Sequence, residues 1–350
     1  MTSGFLFFLF KRIINMFIVL FSILVLTISL LGPTMDNVIK DSVKYSVIDS
    51  LSNQKIEFKD ITERQRYIDQ QIQLQIKNLG LEEPWYSPNR FFNTLLKVMV
   101  LDLGKSNFFV SDSGSSSVKD IIIEKIPKTL LLFTTATIVI ALMGVYLGVF
   151  LASRTESKLD RTNSIFAIFG NSIPVWWFGM IMIFIFAFSL NIFPARSTPL
   201  TPPDDPFYFF DLLYHMILPF ITIVILGFGS VAYIVRHIVS GILQEDFIKA
   251  KFAMGIPKKK ILYSHALKNA APPIVTMIAL GLAGSFGGAF TVEVVFDWPG
   301  MGKLYFDAIG LMDVPIIIGL TYVSTLIFLV TVFFIDLIYA YFDPRVKLNE

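Results

Sequence analysis

The sequence predicts an all-α polytopic membrane protein with six transmembrane helices and an extracytoplasmic insertion between the first two. Three observations predict it. Hydrophobic residues make up 54% of the 350 residues, Phe alone occurs 35 times, and the mean hydropathy is +0.67. Charged residues are 16%, against about 25% in an ordinary soluble domain. Runs free of Asp, Glu, Lys and Arg fall at 13–35, 129–153, 162–195, 212–235, 269–292 and 314–335, and a hydrocarbon core about 30 Å thick needs about 20 apolar residues per helix.

The first span, near 13–31, follows Lys11 and Arg12. It is longer than the apolar region of a signal peptide and no small-x-small cleavage site follows, so it reads as an uncleaved anchor. Residues 33–128 form the insertion. Within it Ile61, Ile68, Ile72, Ile76 and Leu79 recur at helical spacing among Gln, Arg and Lys, which predicts a helix near 60–79. The run Ser111–Ser117 reads as a flexible polar hinge. The second span covers 129–151. The third run is too long for one straight helix, and Asn171-Ser172-Ile173-Pro174 bends it or starts the true span at 173–193, because Pro disrupts the turn before it. The fourth, fifth and sixth spans are expected near 213–235, 272–292 and 315–338. The chain thus divides into 1–32, a lobe at 33–128, and a core domain at 129–350.

Lys and Arg set the orientation. Lys11 and Arg12, Arg154, Lys158 and Arg161, seven basic residues between Arg236 and Lys268, and the tail's Arg345 and Lys347 share one face. The two short loops opposite offer only Arg196 and Lys303. Both termini are therefore expected in the cytoplasm of a cell-membrane protein. The long insertion escapes the rule.

The net charge of +2 is too small to suggest nucleic acid. With no cysteine the chain has no disulfide or thiol chemistry, and His215, His237 and His265 form no metal-ligand pattern. No phosphate-binding Gly-x-x-x-x-Gly-Lys-Ser/Thr, Gly-x-Ser-x-Gly or His-Glu-x-x-His is present. The chain is read as a non-enzyme, and energy must come from another subunit or an ion gradient. A secondary transporter would hold charged or broken helices at mid-bilayer, and these spans are nearly charge-free at their centres. A membrane-bound enzyme would need a polar cluster.

Between the fourth and fifth spans lies a polar segment, Gln244 to Lys260, within the cytoplasmic loop 236–271. Asp246 is placed to cap a helix with its carboxylate. Gly255 is placed to end it in the left-handed conformation. Pro257 then suits the first position of a second short helix. Two short helices at an angle make a rigid knob, able to receive force from a soluble partner. In the fifth span Gly284 and Gly288 share one face a turn apart, with Phe286 between them. Such small residues serve close helix packing or line a path. Glu293, at the span's edge, suits structural hydrogen bonding. Trp298, in a Pro-Gly turn, suits an interfacial aromatic belt.

The knob resembles the "EAA" loop by which ABC-importer permeases dock on their ATPases, although of the three "EAA" positions, Lys249, Ala250 and Lys251, only the alanine is kept. Val292-Glu293-Val294-Val295-Phe296-Asp297-Trp298-Pro299-Gly300-Met301-Gly302 and Asp336–Arg345 resemble signatures of the oligopeptide/dipeptide permeases. Leu79–Pro84, Leu101–Ser106 and Ile173–Trp176 match in the same order. At the end of the first span Gly32-Pro33-Thr34-Met35-Asp36 stands where relatives usually read Pro-Gly-Asp-Pro. The resemblance implies a type I ABC importer permease fold. It implies ATPase docking at Asp246, Lys249, Ala250, Lys251, Gly255, Ile256, Pro257 and Lys258. It places the translocation path or gate at Gly284, Phe286, Gly288, Glu293 and Trp298. It implies a sister permease in a heterodimer, two ATP-binding-cassette subunits holding ATP and Mg, and a solute-binding protein, with no cofactor in this chain. Di- or oligopeptides are the expected solutes, with oligosaccharides or metal (nickel) chelates as the alternative.

Overall fold

The computed structural model describes residues 2–53, 60–78, 82–285 and 290–342, with side chains over 7–51, 60–78, 82–285 and 290–337. Twelve helices follow in order among these residues: α1 (Thr2–Asn53), α2 (Ile61–Asn78), α3 (Pro88–Met99), α4 (Val118–Ala152), α5 (Lys158–Ser172), α6 (Val175–Ser189), α7 (Tyr208–Leu243), α8 (Asp246–Ala253), α9 (Lys258–Ser285), α10 (Phe290–Phe296), α11 (Met301–Leu311) and α12 (Val314–Phe342). Five of them, α1, α4, α7, α9 and α12, are long and apolar enough to cross a membrane alone. The α5–α6 pair, bent by 99° at Ile173-Pro174, passes the same test together and makes a sixth if it is one broken span. The expected break is therefore present, and the arm before it is itself a helix, opened by Ser157 Oγ accepting from Asp160 N–H.

The chain packs as two units. The first is built on residues 10–122 and 307–323. Here α1 runs unbroken through Pro33 and buries a stripe that includes Leu24, Ile28, Val43 and Val47. The expected helix near 60–79 is α2, which lays Ile68 on Val47 and Leu51. Asp60 opens it by accepting from Ile61 N–H and the Thr62 hydroxyl, and the Thr62 bond, then that backbone bond, hold its carboxyl below the usual carboxylate range. Pro88 starts α3, whose Leu95 and Val98 are buried. The segment Ser111–Ser117 is an ordered turn, not a flexible hinge. Ser106 N–H donates to Ser116 O, Lys105 bridges Ser117, and Ser111 Oγ accepts from Ser115 N–H. Serine hydroxyls close on nearby backbone as readily as they solvate it. The turn is pinned by Asp313, fully buried, which accepts from the Ser106 hydroxyl (2.6 Å) and from Asn107 and Phe108 N–H while capping α12 through Ile316 N–H.

The second unit is built on residues 123–306 and on α12 from residue 324. Two apolar clusters hold it. One gathers Val149, Ala152, Val235, Val239, Ile261 and Leu262 at the α4, α7 and α9 ends beside α8. The other gathers Leu132, Phe133, Leu212, Leu218, Phe296 and Trp298 at the opposite ends. Helices α4 and α7 meet at Gly148, where an added Cβ would lie 2.7 Å from Ala232 O. Close approach of backbones is how helices gain packing energy in lipid, where apolar burial gives little drive.

Candidate functional site

The knob forms largely as its residues predict, with shifts of one position. Glu245, extended at φ −65° and ψ 147°, is the residue that enters α8, and its carbonyl accepts from Ile248 and Lys249 N–H. Asp246 is therefore the first helical residue and not the cap. Its exposed carboxylate takes the Lys249 ammonium at 2.8 Å. Either acid suits a helix start, so the pattern alone does not choose between them. Gly255 sits at φ +74°, as expected. Its N–H donates to Phe252 O (3.0 Å) and Ile256 N–H donates to Lys251 O (3.2 Å), the paired bonds of a Schellman ending. Pro257 precedes the next helix, and its carbonyl accepts from Ile261 N–H. The second helix is not short: α9 begins at Lys258 and runs to Ser285, widening over Ile261–Ala266. The knob is thus one short helix welded by a tight turn to a spanning helix.

Two contacts anchor it. Ile248 is fully buried in the cluster of α4, α7 and α9, and the Lys258 ammonium donates to Ser153 O at the end of α4 (3.0 Å). On α8 Lys251 is half-buried, and Ile256 packs on the same cluster. Phe247, Ala250 and Met254 point the other way, at spacing i, i+3 and i+7, and are exposed. Met254 is 68% exposed and Phe247 44%. Alternation of charge hid this apolar stripe, since Lys249 and Lys251 interrupt it in sequence. Near the same end Asp160 on α5 is buried and takes Arg236 of α7 through both oxygens (2.9 and 2.6 Å), with Glu156 N–H as a third donor. No sequence signal pairs residues 76 apart, and Arg236 read only as an orientation mark.

At the opposite end Glu293 is fully buried on α10. It accepts from the Thr129 hydroxyl (2.8 Å) and from Gly302 and Lys303 N–H (2.6 and 3.0 Å). Its carboxylate therefore sits at the N-terminus of α11, where free N–H groups and the helix dipole favour negative charge. Thr129 relays the tie by accepting from Met301 N–H. Gly300 admits this approach: a Cβ there would lie 2.4 Å from Glu293 Oε2. Trp298 is not an interfacial belt residue. It is fully buried, and its indole N–H donates to Lys128 O at 3.0 Å. Hydropathy does not separate a membrane-edge aromatic from a core one.

Among the described residues, nothing lies within 4 Å of a Cβ added at Gly284 on α9. Phe286 and Gly288 lie outside the described residues. A few residues earlier α9 and α4 line an open, almost wholly apolar groove of about 460 Å³, bounded by Leu142, Tyr146, Tyr263, Leu267, Ile278 and Leu282.

Residues 144–348 match the family described as binding-protein-dependent transport system inner membrane component. The chain is 30% identical over 272 residues to the oligopeptide transport system permease protein AppB of Bacillus subtilis, covering 78% of this chain and 84% of that one. It is 32% identical over 256 residues to the dipeptide transport system permease protein DppB of the same organism (73% and 78%). It is 30% identical over 292 residues to the dipeptide permease DppB of Escherichia coli K12 (78% and 84%).

Proposed function

The chain belongs to the binding-protein-dependent transport system inner membrane components and is a multi-pass permease subunit; we propose that it conducts di- or oligopeptides inward and that an ATPase docks on the α8 knob. The knob carries this reading. Its outer stripe, Phe247, Ala250 and Met254, is exposed apolar surface among lysines, while Ile248 and the Gly255 turn fix its angle to α9. A lever joined rigidly to a spanning helix is what converts motion of a soluble subunit into motion of a membrane path.

The peptide substrate is supported by the relatives' names and chain-length similarity. The distribution of Lys and Arg supports cytoplasmic termini and a knob on the cytoplasmic side. On this reading two ATPase subunits hold ATP and Mg, an extracytoplasmic binding protein delivers the peptide, and a sister permease completes the path as a heterodimer. The open α4–α9 groove and the Gly284 face, which no described residue opposes, are suited to a path or a second permease. Closure of the ATPases would move the knobs together and swing the two permeases between inward- and outward-open states, a rigid-body motion.

The test is ATP-driven uptake of a labelled peptide into vesicles holding the purified complex. Phe247→Asp places a charge on the stripe without touching the buried Ile248. Uptake is expected to be lost while the chain remains folded in the membrane. Unchanged uptake with Phe247→Asp would remove the docking assignment.

A further inference from the structure

We propose that α3 is an interfacial helix whose exposed flank, Phe92, Leu96 and Val100, lies in the hydrocarbon of the outer leaflet. Three observations within the first unit carry it. Residues 99 to 106 climb along the start of α12. Tyr322 OH donates to Met99 O (3.0 Å), a Cβ added at Gly319 would lie 3.2 Å from Leu103 Cδ1, and the Ser106 hydroxyl reaches Asp313 just above Val314. The stretch of α12 long and apolar enough to cross a membrane begins at Val314. At 1.5 Å per residue, Tyr322 lies roughly 12 Å along that stretch, more than a third of a hydrocarbon core about 30 Å thick. The end of α3 is held beside that point of the stretch.

The second observation is the surface of α3. Its inner side buries Leu95 and Val98. Phe92, Leu96 and Val100 follow at i, i+4 and i+8 on one exposed flank, with Val100 75% exposed. The third is the adjacent flank, which carries Asn89, Asn93 and Lys97, all exposed. A helix with a packed side, an apolar side and a polar side fits the plane where acyl chains meet headgroups. Lys97 has a stem long enough to lift its ammonium to that plane. The occupant is lipid rather than a soluble protein because the flank is continuous in depth with the last span. Which leaflet rests on the orientation proposed above; burial in hydrocarbon does not.

The test uses the natural lack of cysteine. Phe92→Cys, Leu96→Cys, Val100→Cys and Asn93→Cys are each labelled with an environment-sensitive fluorophore in the intact complex. The complex is placed in phosphatidylcholine–phosphatidylglycerol vesicles with or without nitroxide-labelled acyl chains. Labels at 92, 96 and 100 are expected to lose most of their emission to the lipid nitroxide and little to aqueous iodide, and the label at 93 the reverse. Iodide quenching at 96 and 100 would overturn the proposal and leave the flank in water. Shielding from both quenchers would overturn it in favour of a protein cover, and appearance of that shielding only after adding the binding protein would name the cover. The three apolar positions keep the test valid if one substitution disturbs the complex.

Discussion

Gly255 is where a single residue decides most. Its φ of +74° lets two reverse hydrogen bonds close α8 onto α9. A β-branched side chain resists that conformation, and the left-handed region costs an L-residue roughly 1–2 kcal/mol. Gly255→Val is therefore expected to weaken ATPase attachment in a pull-down, whereas Gly255→Asn, tolerated at such positions, should keep most of it. Equal retention by both variants would mean that the turn does not position the knob. Glu293 makes a second sharp prediction. It is buried with three donors aimed at it, and Glu293→Ala leaves those donors without an acceptor, each at about 1–3 kcal/mol. Thermal unfolding of the purified chain should shift down markedly, while Thr129→Ser should shift little. At this scale the Gly-x-Pro spacing was legible because only Gly suits the turn. The Asp160–Arg236 and Ser106–Asp313 pairs were not, because partners 76 and 207 residues apart leave no local pattern.

Among the elements, the glycines divide by what faces them. At Gly148 a Cβ would meet the Ala232 carbonyl, and at Gly284 it would meet nothing among the described residues. Gly148→Val is expected to force α4 from α7, with overpacking at about 1–3 kcal/mol, read as lowered thermal stability of the isolated chain. Gly284→Leu should leave that stability unchanged and reduce peptide uptake by the complex. A stability loss at Gly284 would mean that it packs within the chain. The sequence pattern offered Gly284 and Gly288 for close packing or for lining a path; Gly288 lies outside the described residues, and among those described α4 and α7 cross tightly at Gly148. Small residues permit approach, and only the partner helix determines where approach occurs. The bend at Ile173-Pro174 was legible, because proline breaks the helix wherever it falls. That α9 continues from Lys258 into a span was not, because three lysines read as a loop although a helix end outside the lipid accepts them.

For the molecule as a whole, orientation ties every element to a side of the membrane. In this cysteine-free chain Ser113→Cys should react with an impermeant thiol reagent from outside, and Ser264→Cys only after the membrane is opened. The reverse labelling would turn the knob away from the cytoplasm. Composition and charge-free runs predicted the membrane class and the spanning helices because both depend on sums over many residues. The lobe's attachment to the head of α12 rests on particular side chains, the buried Asp313 carboxylate and the Tyr322 hydroxyl among them, and was invisible to such sums. The account rests on the knob as the point where force enters, and one measurement addresses it directly. Met254→Cys, at the exposed edge of α8, is treated with a short bifunctional thiol cross-linker in membranes that also hold the ATPase. A cross-link between this chain and the ATPase is expected to form with Met254→Cys and to fail with Ser113→Cys. No cross-link from Met254→Cys in a complex that still imports peptide would contradict it.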